Sequence, residues 1–183
     1  MLAGLGAALV DADVAARRVT APGGSAHAAV VRRFPAVVGV DGIIDRAALA
    51  AIVFADPAAR ADLEALTHPW IRDEMATGIA AAATTAEVVV AVVPLLVEAP
   101  DARPRFQAVV VVDCPAEVAL ARVVRRGLSV DDATARIAAQ VPRQVRLARA
   151  DYVVDNGGPR AHLPAEVDRC WAWARRRAAA ASS

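Results

Sequence analysis

The chain has 183 residues, 57% of them hydrophobic, and this length suits one domain with an inserted lobe. Its 21 arginines and 20 acidic residues give a net charge of +1, which excludes a bulk electrostatic attraction to nucleic acid or to an anionic membrane. There is no lysine, so these residues supply neither a lysine Schiff base nor a phosphate-binding lysine.

Two features of the sequence predict a cytoplasmic protein. The cysteines, Cys114 and Cys170, lack the spacing of a metal site and are predicted to be reduced thiols. The sequence does not begin with a signal-peptide pattern, and its longest apolar run, Val88–Val97, is shorter than the about 20 residues that cross a bilayer. We assign no residue to a metal site.

Four apolar runs that end in charged or polar residues are the predicted strands. They cover Ala7–Asp13, Glu87–Glu98, Ala108–Asp113 and Tyr152–Asn156. Their valine-rich cores do not alternate with polar residues, which is typical of strands buried on both faces of a parallel sheet. Ligands of such sheets bind outside the carboxyl ends of the strands. The polar residues expected at those ends are Asp11, Asp13, Glu98, Asp113, Asp155 and Asn156.

The segment between the first two strands is predicted to be helical. Helices are expected over Val14–Val19, Ser25–Phe34, Arg46–Phe54, from Pro57 onward, and over Trp70–Ala83. Ser25 and Asp45 are predicted N-caps, because their side-chain oxygens can accept from the first backbone N–H groups of a helix. The His68-Pro69 step is expected to interrupt the helix that begins at Pro57, since an internal proline removes a hydrogen bond. We therefore predict an inserted helical lobe over residues 20–85.

Helices are also predicted after the third and fourth strands. They are expected over Pro115–Arg126, Val130–Gln140, Gln144–Ala150 and Pro164–Arg177. Ser129, with Asp132 three residues later, is a capping-box sequence at the start of the second of these helices. Strands that alternate with helices predict a doubly wound α/β fold.

The acidic strand ends have two interpretations each. Asp11 and Asp13 either position a hydroxyl group or hold a cation, or they form a solvated strand end with a helix cap. The run Pro94–Glu98 is either a second acidic site or a buried strand that ends in a surface glutamate. His68, alone before a proline, is more typical of a helix junction than of a catalyst.

Arginines are frequent after the third strand. Arg122 and Arg126 lie four residues apart and are predicted to share one helix face. Planar guanidinium groups that face a strand-end cleft suit a polyphosphate. The alternative is a solvated helix face, which we favour for Arg143 and Arg149. Asn156, beside a Gly-Gly turn, is either a ligand contact or ordinary turn chemistry.

Eight segments in order resemble the dephospho-CoA kinase family. They read VDAD, APG, DGIIDRAAL with VFAD, LTHPWI, PLLVE, VVVVDCP, GLSVDDATARIAAQ and ADYVVDNGG. The resemblance extends from Leu5 to Gly158 and therefore covers nearly the whole chain. It is specific, because families that share only a kinase fold would not share the DGIIDR and HPW segments.

The resemblance implies a P-loop kinase-like fold, similar to that of nucleotide monophosphate kinases, and a defined reaction. The family transfers the γ-phosphoryl group of ATP, with Mg²⁺, to the ribose 3′-hydroxyl of dephospho-CoA, the final step of coenzyme A biosynthesis. Residues 1–19 and 86–183 would form the nucleotide-kinase core, with a lid over about 122–150. The lobe over residues 20–85 would bind the CoA part of the acceptor.

The resemblance also assigns roles to residues. Asp13 would accept a hydrogen bond from the attacking hydroxyl group and serve as the base. Arg122 and Arg126 would close over the phosphates. The remaining positions that match family sites are Asn156 on the adenine side and, on the acceptor side, His68, Leu95 and Glu98.

The sequence departs from the family at its start. The family opens with a strand, then G-x-x-x-x-G-K-[ST], then a helix that leads into VDAD, whereas Met1–Gly6 resembles only the end of that helix. We therefore expect a sheet without its first, central strand and without the loop that cradles phosphates. The chain as written is expected to be inactive, with a start assigned too late as the leading explanation. The alternatives are a non-catalytic remnant that binds a CoA-like ligand and an interaction domain.

Overall fold

The structure is a computed structural model that describes residues 1–98 and 106–181, apart from the side chain of Glu98. The chain forms two compact units, which we call the helical unit and the carboxyl-terminal unit. The helical unit comprises Ala7–Val93, and the carboxyl-terminal unit comprises Met1–Gly6 with Pro94–Ser183. Among the described residues, no helix is long and apolar enough to cross a membrane.

The helical unit places four helices between two short parallel strands. Its elements are β1 (Ala8–Asp11), α1 (Ala12–Thr20), α2 (His27–Arg33), α3 (Arg46–Ala55), α4 (Pro57–Ala82) and β2 (Val89–Val92). The two strands pair in register, with Ala8 opposite Val89 and Asp11 opposite Val92. The predicted strand over Glu87–Glu98 is therefore much shorter, and its last residues, Leu96–Glu98, form a 3-10 helix.

The core of the helical unit lies among its helices. Its buried residues are Val19, Ala26, Val30, Phe34, Val37, Ile44, Leu49 and Ala59. Burial of a valine or phenylalanine side chain contributes about 1.5–3 kcal/mol, so this cluster is the main stabilising term of the unit. Gly24 permits the close turn from α1 into α2, because a Cβ there would overlap the backbone oxygens of Arg18 and Val19.

Helix starts in this unit test the predicted caps. Asp45 caps α3 by accepting from the N–H groups of Ala47 and Ala48, and Asp56 caps α4, which begins at Pro57 as predicted. The prediction for Ser25 was wrong, because α2 begins at His27 and its N-cap makes no side-chain hydrogen bond.

The predicted break at His68-Pro69 was also wrong. Helix α4 is continuous over 26 residues and contains Pro69. Pro69 and Ala65, whose carbonyl would have accepted the missing hydrogen bond, are both exposed, so water can solvate that carbonyl. Packing of α4 against α1, α2, α3, β1 and β2 outweighs the local cost of the proline.

The carboxyl-terminal unit contains the second strand pair. Its elements are β3 (Val110–Asp113), α5 (Ala116–Arg125), α6 (Val130–Ala138), α7 (Arg143–Ala148), β4 (Tyr152–Asp155) and α8 (Leu163–Ala181). The strands are parallel and in register, with Val110 opposite Tyr152 and Asp113 opposite Asp155. Helix α8 packs against β4 and α7 packs against β3. Parallel pairing is therefore confirmed within each unit, and β1, β3 and β4 end in Asp11, Asp113 and Asp155. The acidic end predicted for the second strand was wrong, because β2 ends at Val92 and Glu98 lies in the 3-10 helix that follows.

Helix α8 contains one cysteine, Cys170, and its side chain is buried. Cys170 is 2% exposed and free, and burial raises the pKa of its thiol above the ordinary value. Trp173, on the same helix, lies with its ring 5.0 Å from that of Tyr152 on β4. This ring contact packs α8 against β4.

Replacing Pro69 tests how α4 tolerates its internal proline. Pro69→Ala should raise the free energy of unfolding by roughly 1–3 kcal/mol, because the substitution restores a helical hydrogen bond. Asp73→Ala is the control, since Asp73 is exposed on the same helix and its side chain makes no hydrogen bond or ion pair with another described residue. It should change stability by less than about 0.5 kcal/mol. Urea denaturation followed by circular dichroism measures both, and a destabilised Pro69→Ala chain would contradict the account.

Candidate functional site

An open cavity of about 750 Å³ lies in the carboxyl-terminal unit, between α5 and the segment that follows β4. Helix α5 contributes Glu117, Arg122 and Arg125 to its wall, and the segment after β4 contributes Asn156 and Arg160. The cavity therefore gathers three guanidinium groups, one carboxylate and one carboxamide. Such a lining favours an anionic ligand with hydrogen-bonding groups.

The wall formed by the segment after β4 is shaped by a tight turn. The Oδ1 atom of Asp155 accepts a hydrogen bond from the N–H group of Gly157 at 2.7 Å. A Cβ on Gly157 would lie 3.0 Å from the Cδ atom of Pro115, so the turn passes close to the residue before α5, and a side chain there would require a small shift. The turn chemistry predicted for this segment is present, and it also forms part of the cavity wall.

Arg122 holds the cavity wall in place. Its Nη1 atom donates to the backbone oxygen of Asn156 at 2.6 Å, and its Nη2 atom donates to that of Gly158 at 3.0 Å. The structure thus brings together two of the predicted site residues, Arg122 and Asn156. Arg126 is exposed beyond the end of α5, is not part of the lining, and donates to the carbonyl of Arg122 at 3.3 Å.

Next to this wall, Arg143 and Asp113 form a forked ion pair. The Nε atom of Arg143 lies 2.9 Å from Oδ2 and 3.0 Å from Oδ1 of Asp113, and Nη2 lies 2.6 Å from Oδ2. The Asp113 side chain is 6% exposed, whereas that of Arg143 is 50% exposed. The hydrogen bond to Asp113 and then its charge raise the pKa of Arg143 above the ordinary value.

The solvated-face interpretation of Arg143 and Arg149 was therefore wrong. Arg143 compensates a nearly buried carboxylate, and the Nη1 atom of Arg149 donates to the backbone oxygen of Val97. The sequence signals were weak: Asp113 ends a strand, and Arg143 begins a helix directly after Pro142. Sequence reasoning also missed Glu117 and Arg160, whose place in the cavity wall depends on the pairing of β3 with β4.

Two predicted site residues lie in the helical unit. Asp13 is in the first turn of α1 with an exposed side chain, and its backbone N–H donates to Oδ1 of Asp11 at 2.8 Å. Asp11 is thus the helix cap of the alternative interpretation, while the Asp13 carboxylate makes no hydrogen bond or ion pair with another described residue. His68 is exposed on α4.

The other two acceptor-side predictions fall in the carboxyl-terminal unit. Leu95 is 56% exposed in the turn before the 3-10 helix Leu96–Glu98. Glu98 ends that helix, and its side chain lies outside the described part of the structure.

Comparisons with known proteins extend over most of the chain. A sequence model for the family described as dephospho-CoA kinase matches residues 1–161. A curated dephospho-CoA kinase of Aromatoleum aromaticum is 46% identical over 170 residues, which cover 92% of this chain and 82% of the relative.

Two solved structures confirm the predicted fold class. The crystal structure of TT1252 from Thermus thermophilus superposes with a TM-score of 0.79 at 31% identity, covering 94% of this chain and 87% of that chain. A dephospho-CoA kinase from Campylobacter jejuni has a TM-score of 0.63 at 24% identity, with 94% and 88% covered.

Substitution of Arg122 tests its structural role at the cavity wall. Arg122→Ala should lower the free energy of unfolding by roughly 1–3 kcal/mol, because two backbone carbonyls lose their donor. Arg126→Ala, on the same stretch of chain but outside the lining, should change it by less than about 0.5 kcal/mol. Urea denaturation followed by tryptophan fluorescence measures both, and equal effects would show that Arg122 does not hold the wall.

Proposed function

This chain belongs to the dephospho-CoA kinase family, and on that basis we propose that it transfers the γ-phosphoryl group of ATP to the ribose 3′-hydroxyl of dephospho-CoA. This reaction completes coenzyme A biosynthesis. The observation that carries the proposal beyond family membership is the arginine-lined cavity of the carboxyl-terminal unit. We place the protein in the cytoplasm, with ATP and dephospho-CoA as its ligands and neither nucleic acid nor membrane as a partner.

The cavity is the proposed nucleotide site, with Asn156 on the adenine side. Arg122 donates to two carbonyls of the wall, so it supports the site and keeps further donors for a bound nucleotide. Arg125 and Arg160 line the cavity, and their side chains make no hydrogen bond or ion pair with other described residues. These two arginines are the additional cations that we propose for phosphate. Arg126 is a proposed residue of the lid, which covers about residues 122–150.

Asp13 is the proposed base on the acceptor hydroxyl. Its exposed carboxylate is available to accept a hydrogen bond, and Asp11 fixes the backbone that carries it. Phosphoryl transfer passes through a loose transition state, so orienting the attacking oxygen matters more than removing its proton early. His68, Leu95 and Glu98 are the proposed acceptor contacts, and the segment 20–85 is the proposed CoA-binding lobe. Residues 1–19 and 86–183 are the proposed nucleotide-kinase core.

Mg²⁺ fits the proposed reaction as a companion of the nucleotide. Within residues 1–98 and 106–181, no three His, Cys, Asp or Glu side chains cluster to hold an ion. Magnesium in kinases is held mainly by phosphate oxygens and waters with one or two carboxylates, and the exposed Asp13 carboxylate suits such a contact. When bound, the ion neutralises the charge that develops on the transferred phosphoryl group.

The phosphate end of the nucleotide is the weak part of the proposed site. The 183 residues contain neither a lysine nor a G-x-x-x-x-G-K-[ST] sequence. Loss of a single preorganised donor from a transition-state site costs about 2.7–4 kcal/mol, and such a loop provides several donors, a cation and a metal ligand. We propose that these 183 residues by themselves catalyse phosphoryl transfer slowly. A non-catalytic remnant that binds a CoA-like ligand, or an interaction domain, is the alternative.

The proposal is tested by titrating the 183-residue chain with ATP and with dephospho-CoA, and by assaying CoA formation with both ligands and Mg²⁺. We expect binding of both ligands with slow CoA formation. An in-frame G-x-x-x-x-G-K-[ST] sequence upstream of Met1 in the genomic DNA, whose inclusion raises turnover, would favour the kinase. A stop codon directly upstream of Met1, together with binding of dephospho-CoA but not of ATP, would favour the remnant.

Substitution of Asp13 tests its role in the reaction. In the chain, extended by any in-frame upstream codons, Asp13→Asn should lower kcat by about 10²–10⁴-fold, because the amide cannot serve as the base. The Kd for ATP should change by less than about twofold, since the carboxylate acts on the acceptor hydroxyl. Asp168→Asn, an exposed change on α8, is the control. Unchanged kcat would remove Asp13 from the catalytic residues.

A further inference from the structure

We propose that Arg143 is a positioning residue of the nucleotide cavity, because its ion pair with Asp113 fixes the strand end that holds Asn156. The inference rests on the proposed function, since it concerns the same cavity. It goes further by assigning a role to a side chain that lies outside the lining.

The charge of Asp113 needs a partner. Its side chain is 6% exposed, and in register beside it on β4 lies Asp155, a second carboxylate. Like charges on directly opposed strand positions repel, and a nearly buried carboxylate without a partner is strongly unfavourable. Within the described residues, Arg143 is the cation that contacts Asp113, and its Nε and Nη2 atoms reach both carboxylate oxygens.

The backbone of Asp113 connects this ion pair to the cavity. Its carbonyl oxygen accepts a hydrogen bond from the N–H group of Asn156 at 2.7 Å. The carbonyl of Asn156 in turn accepts from Nη1 of Arg122 at 2.6 Å. The peptide groups of Asn156 are thus held on both sides, by β3 through Asp113 and by α5 through Arg122. A shift of the β3 end that brings an uncompensated Asp113 carboxylate toward water would move this carbonyl and release the first of these contacts.

The neighbouring arginine on α7 provides a matched control. Arg146 donates from Nη1 to the backbone oxygen of Val141 at 2.8 Å, and none of its hydrogen bonds in the described structure reaches Asp113. Arg146→Ala therefore removes the same charge and the same side-chain length from the same helix. Only Arg143→Ala removes the partner of the strand-end carboxylate.

The test measures amide hydrogen exchange at Asn156 by NMR in the full 183-residue chain. Arg143→Ala should speed exchange of the Asn156 N–H by about tenfold or more, whereas Arg146→Ala should change it by less than about twofold. The amide of Asp45, which donates to Val37 O at 2.8 Å in the helical unit, is the internal reference and should not respond. The double variant Asp113→Asn with Arg143→Gln replaces the ion pair by a neutral amide pair. It should bring the Asn156 rate back to within about threefold of the parent chain, because no buried charge is left alone.

ATP binding is measured on the same samples by NMR titration. Arg143→Ala should raise the Kd for ATP by about fivefold or more, with Arg146→Ala and the double variant close to the parent chain. Equal exchange at Asn156 in the Arg143→Ala and Arg146→Ala chains would overturn the inference, as would equal acceleration at Asp45, which indicates general destabilisation. Should Arg143→Ala fail to fold, Arg143→Gln takes its place. That variant keeps a polar side chain but removes the charge that compensates Asp113, and an Asn156 rate equal to that of the parent chain would overturn the inference.

These readouts separate the inference from the proposed function. If the parent chain does not bind ATP while exchange at Asn156 responds as expected, the nucleotide site is wrong and the positioning role of Arg143 stands. If ATP binds the parent and Arg143→Ala chains equally and exchange does not change, the nucleotide site stands and the positioning role is wrong.

Discussion

The parallel pairing of β3 with β4 is the constraint on which the carboxyl-terminal unit depends. Because the strands run in the same direction with Asp113 opposite Asp155, the chain leaves both at the same edge of the sheet. One exit leads into α5 and the other into the turn at Gly157, so these two segments become neighbours. The cavity forms between them. An antiparallel pair would have placed them at opposite edges.

In this lysine-free chain, arginine is the side chain that pairs with carboxylates, donates to carbonyls and lines the cavity. The contacts of each arginine show which of these roles it has. The planar guanidinium of Arg143 donates from Nε to Oδ1 and from Nη2 to Oδ2 of one carboxylate, and a lysine ammonium group cannot form this pair of parallel bonds. Arg122 and Arg149 donate to backbone carbonyls and so tie segments that are distant in sequence. Arg125 and Arg160 remain directed to the cavity. Identical side chains therefore divide into those that bind acceptors within the fold and those that line the cavity.

Local chemistry explains what the sequence could predict. The end of the fourth strand at Asp155 and the start of α3 after Asp45 could be predicted, because each is signalled by residues close by in the sequence. A valine run before a Gly-Gly turn marks the first, and an aspartate before a helix marks the second. The continuity of α4 through Pro69 could not be predicted, since it depends on packing against five other elements. The Asp113–Arg143 pair spans 30 positions, and nothing in either local sequence indicates the other partner. The cavity could not be predicted for the same reason, because α6, α7 and β4 lie in the sequence between the two segments that form its walls.

Binding and turnover place different demands on such a site. Contacts to the base and ribose are made equally in the ground state and in the transition state, so they contribute affinity and little rate. The proposed adenine side, with Asn156 held between Asp113 and Arg122, belongs to this class. Donors aimed at the transferring phosphoryl group contribute rate, because the charge they stabilise is spread over its oxygens in the transition state. A chain with the first set of contacts and a weak second set should therefore bind nucleotide more readily than it turns nucleotide over. Measured affinity alone would then say little about whether the 183 residues act as a kinase.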